Sequence, residues 1–437
     1  MKRAARLLVS MIAGLLLAGL CFTQFPQSTQ LGFANASTLP VGNAEYANGT
    51  LTQPYSLNVW YDWINVSNTQ VIAYAMYTPP DFPYPGPVAN IVGQHLHLAD
   101  GTDVFVASAL TKFEVYRDLN GDGIPEANFT GGDNELLYYM YTNMSDKFSM
   151  TPIQMVTENG VPHYQWGIAY QNVYGYLGYA TSSNSLGWGG YAAKLVFDHI
   201  TLNYDFSMNG AVSNLKTSFD IGKVVSAYAI DPNTVQVTST PFSLDGLGLA
   251  LLFTTSTYTS KPYQTSVDGQ PYNSTAANAP TTNVDLASVA VGNRSAYDFV
   301  FGGNYTLNRG ENNETHQANI ETYAAKAEAV ALTGLPINIY QPALAQISFF
   351  GNYLNLTDLF GGSWPNVAID YNASSFIYRI CFPVWDGQQI VHDPVFVGYV
   401  AGTSQVPEFP TATIATVCLL AAATILVAVR LKKKAPS

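Results

Sequence analysis

Ile91-Val92-Gly93-Gln94-His95-Leu96-His97-Leu98 and Asp103-Val104-Phe105-Val106-Ala107-Ser108-Ala109-Leu110, joined through Ala99-Asp100-Gly101, decide the fold. Two β-prone runs on either side of an Asp-Gly turn signal read as a hairpin. Just beyond it, Phe113-Glu114-Val115-Tyr116 alternates apolar and polar, as a half-buried strand does. Before it, the run from Val71 to Tyr77 is stopped by Pro79 and Pro80. Further on, Leu195 to Phe197, Ile200 to Phe206, Val224 to Tyr228, Thr234 to Val237 and Leu249 to Phe253 continue the series. Short strands separated by turn signals predict an all-β protein with an antiparallel β-sandwich ectodomain, one large sandwich or two packed ones.

Three segments break the pattern. Residues 37–60 read as a polar lead-in. Ser260 to Asp285 is rich in Ser, Thr, Asn, Pro and Gly. It is the candidate junction between a β-sandwich at 37–259 and a second β-rich domain, or a continuation, at 260–406. Ile320 to Leu332 carries Ala324, Ala325, Ala327, Ala329 and Ala331 and is closed by Gly334 and Pro336, so it reads as a helix.

The chain has 437 residues, only 11% of them charged, with 30 Asp+Glu against 18 Lys+Arg. Lys2, Arg3 and Arg6 precede an apolar run from Leu7 to Phe22, and Ala34-Asn35-Ala36 is a small-x-small cleavage site, so residues 1–36 read as a secretory signal peptide. Thr411 to Val429 holds no charge over 19 residues and is followed by Arg430, Lys432, Lys433 and Lys434. It reads as a membrane-spanning helix with a cytoplasmic basic tail, which places residues 37–406 outside the cell. Three basic residues fall in 1–36 and four follow Val429. Without these and Glu408, residues 37–406 hold 11 Lys+Arg and 29 Asp+Glu, a net of −18. That acidity argues against nucleic acid as a partner.

Pro407-Glu408-Phe409-Pro410 stands just before the apolar segment. This motif, span and basic tail over 407–437 resemble the C-terminal sorting signals of archaeal cell-surface proteins of the PEF type. The resemblance implies anchoring, or processing by a membrane-embedded sortase-like enzyme; it implies nothing about activity.

Asp118-Leu119-Asn120-Gly121-Asp122-Gly123-Ile124-Pro125-Glu126 is the sharpest internal motif. Ca²⁺ wants six to eight oxygens, and oxygen side chains at loop positions 1, 3 and 5 point inward together. Asp118, Asn120 and Asp122 take those positions, Gly123 permits the sharp turn, the Ile124 carbonyl supplies position 7 and Glu126 stands at position 9. An EF-hand needs an acid at position 12, where Phe129 stands, and a strand, not a helix, enters the loop. The loop therefore resembles the Ca²⁺ loops of β-propeller and β-sandwich surface proteins, and Ca²⁺ is the expected ion.

Tyr164, Trp166, Tyr170, Tyr174, Tyr176, Tyr179, Trp188 and Tyr191 crowd a Gly-rich stretch. Aromatic faces stack on sugar rings, so Tyr164, Trp166, Tyr170 and Trp188 are candidate ligand-binding residues, with core packing as the competing reading. Self-association is the other expected partnership. His95 and His97 share a strand face, but no third ligand or H-E-x-x-H accompanies them, so hydrogen-bonded histidines are expected rather than a metal pair. Cys381 is the lone ectodomain cysteine and reads as a buried small hydrophobe. Ten sequons outside the signal mark glycosylation candidates: Asn48, Asn65, Asn128, Asn143, Asn273, Asn293, Asn304, Asn313, Asn355 and Asn372. No G-x-S-x-G elbow, phosphate loop or C-x-x-C is present, so no catalytic residue is singled out. The sequence thus points to a calcium-binding, glycosylated, membrane-anchored surface protein of structural, adhesive or envelope type, with carbohydrate binding or carbohydrate activity through 164–191 as the alternative.

Overall fold

A computed structural model describes residues 41–48, 57–66, 68–77, 89–126, 134–143, 148–181, 188–271, 281–324 and 375–400. These residues are all-β, antiparallel and free of helix. Strands β1 (Val41–Asn48), β2 (Leu57–Val66), β3 (Thr69–Tyr77), β4 (Ala89–His97) and β5 (Asp103–Tyr116) form a meander in which each strand pairs with the next. The β4–β5 hairpin is the one expected: His97 lies opposite Asp103, and Gly101 takes φ +77° in the turn. The runs 103–110 and 113–116 are a single strand, with a bulge at Thr111 that keeps it paired along its length.

Next come β6 (Leu136–Asn143), β7 (Phe148–Glu158), β8 (Val161–Ala180), β9 (Trp188–Asn209) and β10 (Val212–Ile221). They are followed by β11 (Val224–Ile230), β12 (Val237–Pro241) and β13 (Gly248–Thr259). Then come β14 (Tyr263–Val267), β15 (Gln270–Pro271), β16 (Thr281–Thr282), β17 (Leu286–Val291) and β18 (Arg294–Val300). The last are β19 (Asn304–Arg309), β20 (Asn312–Gln317), β21 (Asn319–Ala324), β22 (Ser375–Phe382), β23 (Gln389–His392) and β24 (Val395–Tyr399).

One layer runs β1-β2-β3-β4-β5-β13-β22-β21-β16. A second runs β7-β8-β9-β10 and continues through β24, β18, β17 and β14, with β23, β19 and β20 beside it. β6 pairs with both β5 and β8 and so joins the layers. The layers face each other. Phe219 of β10 meets Phe253 of β13 at 5.2 Å between ring centroids. Tyr170 of β8 donates to Asn90 of β4 at 2.5 Å, and Gln94 of β4 donates to Tyr297 of β18 at 2.8 Å. The arrangement is consistent with the expected sandwich. β10 shows why: its Ser213, Leu215, Thr217, Phe219 and Ile221 are buried while the residues between them are not, the period-2 pattern of a strand with one wet face. Strands from both sides of residue 260 alternate in this network, since β22 lies against β13 and β24 against β10.

Three expectations are corrected. The polar lead-in contains β1 and the start of β2, because backbone pairing between them supplies what their Asn-rich pattern does not advertise. Ser260 to Asp285, whose composition reads as loop, carries β14, paired to β15 and β17, and β16, paired to β21. The expected helix begins as β21, since Ile320 to Ala324 pairs with β22 and Glu321 lies opposite Arg379, to which it is ion-paired at 2.6 Å. That buried cross-strand pair overrides the local helical preference. The alanine-rich remainder, the signal peptide and Thr411 to Val429 lie outside the described residues. Among the described residues no helix is long and apolar enough to cross a membrane.

Candidate metal centre

The expected ion loop leaves the end of β5, and its order starts from Tyr116. That ring is buried, and its hydroxyl donates to the Gly123 carbonyl at 2.8 Å. Asp118 then accepts the Gly121 and Gly123 N–H groups at 2.7 and 3.0 Å. Asn120 Oδ1 accepts the Asp122 N–H at 2.8 Å, and Asp122 Oδ1 accepts the Ile124 N–H at 2.9 Å. These successive side-chain-to-backbone bonds turn the residues at positions 1, 3 and 5 to one side. Ile124 buries its side chain and leaves its backbone at position 7. Gly123 is required twice. It takes φ +77°, and a Cβ there would lie 1.8 Å from Asn319 Nδ2.

Glu135 completes the cluster. It is 2% exposed, and its carboxylate accepts the N–H groups of Leu119, Asn120 and Glu126 at 2.6, 3.1 and 3.3 Å. Oxygens of Asp118, Asp122 and Glu135 lie within 4.8 Å of one another. Glu126 adds a fourth carboxylate, held by Asn120 Nδ2 at 2.9 Å. Its carboxyl is pushed up to about 8, first by desolvation, then by the hydrogen bond and charge of Glu135 and the charge of Asp122. Carboxylates crowded in this way favour a cation among them. Sequence spacing missed Glu135 because it follows the loop on the first turn into β6. The one available signal was an acid immediately before a strand that must return beside β5.

The loop is tied to strands remote in sequence. Asn319 of β21 donates to the Asp122 carbonyl at 3.0 Å, and Arg379 of β22 reaches the Pro125 carbonyl at 3.4 Å. Beneath it, Arg379 pairs with Glu114 at 2.8 Å and with Glu321 at 2.6 Å, while Lys112 pairs with Glu114 at 2.8 Å. Burial alone raises the Glu114 carboxyl, but the Arg379 and Lys112 cations outweigh it and hold the group below the usual carboxylate range.

The other expected residues separate. Tyr164, Trp166 and Tyr170 are 8%, 4% and 0% exposed and pack in the core, so they are not open to a ligand. Trp166 instead stacks on Tyr204 at 5.2 Å. The cause is Asn172, at φ +50°, where the alternation of β8 slips. Even-numbered side chains point inward before it and odd-numbered ones after it. Tyr174 and Tyr176 therefore face outward, beside Tyr191 at 5.6 Å from Tyr176, with Lys194 over the Tyr174 ring at 4.0 Å. Tyr138 packs at a tilt against the exposed Tyr179, with ring centroids 5.4 Å apart. The Trp188 side chain lies outside the described residues. His95 is buried and His97 exposed, and both meet one oxygen of Asp103 at 3.0 Å. Cys381 is buried against Tyr116 and Ala250, and burial drives its thiol well up. Asn293, Asn304 and Asn313 are exposed and Asn65 is half-buried. Asn48 and Asn143 lie on strands, and Asn128, Asn273, Asn355 and Asn372 fall outside the described residues.

No protein family matches this chain, and neither any curated protein nor any solved structure matches it.

Proposed function

We propose that the chain is an exported surface protein, anchored through residues 411–429, glycosylated, and stiffened by Ca²⁺ bound at Asp118, Asn120, Asp122, the Ile124 carbonyl and Glu126, with Glu135 as a further ligand. Its role is structural or adhesive. The observation that carries this reading is the convergence of Asp118, Asp122 and Glu135 within 4.8 Å on a loop fastened to β21 and β22. An ion there would hold together strands that are some 200 residues apart in the chain, which is how a structural cation acts. The two-ended export pattern, 1–36 and 407–437, supplies the address.

Thermal melting of the full chain in detergent tests the calcium reading. At 100-fold excess over Kd, Ca²⁺ should add about 2.7 kcal/mol relative to chelator. Asp118→Asn combined with Asp122→Asn should abolish that increment. A melting temperature indifferent to calcium in the unmutated chain overturns the reading.

A second reading, glycan binding, is favoured by the outward tyrosines of β6, β8 and β9, which offer stacking faces. Tyr176→Ala and Tyr179→Ala are its test on a glycan panel, and absence of binding by the unmutated chain removes it.

A further inference from the structure

The β7–β8 hairpin turns at Asn159 and Gly160, with φ +53° and +82°. Two successive positive φ values make the tight two-residue turn whose twist matches the strands and fixes the register. Glu158 is thereby set opposite Val161, and Val156 opposite His163. On the other side of β8, His163 lies opposite Ser207 and Gln165 opposite Asp205. Glu158 and Asp205 are therefore diagonal neighbours of His163, one on each flanking strand, and all three residues share one sheet face. Diagonal neighbours are within side-chain reach. Their ligand atoms do converge within 4.8 Å. His163 Nδ1 is 2.8 Å from Asp205 Oδ1, and Gln165 Nε2 donates to the other oxygen, Oδ2, at 2.9 Å. Glu158 is exposed, and the His163 and Asp205 side chains are 21% and 27% exposed, so solvent reaches the group. Among the described residues no lysine or arginine is ion-paired with either carboxylate.

We propose that Glu158, His163 and Asp205 bind a divalent first-row transition ion of the Zn²⁺ class, at a second centre independent of the calcium loop. An imidazole with two carboxylates is a nitrogen–oxygen set suited to such ions, whereas Ca²⁺ takes oxygen alone. Three protein donors leave a fourth position for water. On binding, the metal takes the place of the proton between Nδ1 and Oδ1, and the ring's one remaining hydrogen sits on Nε2, so that His163 binds as neutral imidazole and any excess proton leaves to solvent. Ligands at about 2.1 Å in a tetrahedron lie roughly 3.4 Å apart, so the 2.8 Å pair opens by about 0.6 Å. The solvent-exposed hairpin end that carries Glu158 leaves room for this. Gln165 is a positioning residue, since it holds the second oxygen of Asp205 in place.

The test is a Co²⁺ titration of the full chain in detergent, with Ca²⁺ saturating so that the loop at 118–126 is filled. One equivalent of Co²⁺ should give the visible absorption of a four-coordinate site, and Zn²⁺ should displace it. His163→Ala should weaken binding at least ~100-fold and Gln165→Ala by about 10- to 100-fold. Glu158→Gln, at an exposed position that does not hold the core, should weaken it while leaving the metal-free melting temperature unchanged. His199→Ala, which removes a histidine lying between Asp198 and Asp220, should leave binding intact. Absence of saturable binding, or binding indifferent to both His163→Ala and Glu158→Gln, overturns the proposal.

Discussion

Asp62 stands on β2 with both carboxylate oxygens buried and without a hydrogen-bond partner. Burial pushes its carboxyl from 3.8 up to about 7. A folded-state value above the unfolded one means that the native chain holds the extra proton. Its contribution is therefore full below about pH 4 and is lost as pH rises through 7, by roughly 4 kcal/mol in all. The melting temperature should rise as pH falls from 8 to 5, and Asp62→Asn should flatten that rise. Melts of both chains across this range provide the check. Gly123 offers a second test at this scale. Gly123→Ala places a side chain at φ +77° at a cost of about 1–2 kcal/mol and displaces Asn319 from the Asp122 carbonyl. Gly121→Ala meets open space and carries the backbone cost alone. Calcium titration should find the first variant weaker than the second.

At the scale of elements, β5, β21 and β22 are joined by a buried ion network as well as by their backbones. Glu114, Glu321 and Arg379 are at most 4% exposed. Removing one member leaves charges buried without a partner, which costs about 3–5 kcal/mol. Arg379→Met should lower stability by that amount in urea melts, because it takes the guanidinium from both Glu114 and Glu321 and leaves Glu114 with Lys112. It also removes the contact to Pro125, so the calcium concentration at half-saturation should rise. Glu321→Gln leaves Arg379 paired with Glu114 and should cost less.

For the whole molecule, charge dominates. A net of −18 over residues 37–406 repels like copies, and divalent ions screen or bridge such surfaces. Under the surface-protein reading, light scattering of the full chain in detergent should show larger assemblies with calcium than with chelator. A particle size independent of calcium would remove self-association while leaving the ion loop untouched.

The sequence by itself determined what short-range chemistry determines. Period-2 alternation and the Asp100-Gly101 turn specify the β4–β5 hairpin, because strand faces and positive φ are properties of neighbouring residues. Asp118, Asn120, Asp122, Gly123 and Glu126 are legible as one loop because their spacing alone turns them inward. Tertiary structure decided the rest. Glu135, Asn319 and Arg379 join that loop only through the pairing of β6 with β5 and of β21 with β22. Ile320 to Ala324 is a strand because Glu321 needs Arg379 opposite it. The aromatic stretch divides into core and surface at Asn172, where one left-handed residue shifts which side chains point inward. Glu158, His163 and Asp205 meet only once three strands fix their register. Local pattern carries the faces of each strand, whereas the partner of each face is set by which strands the core brings side by side.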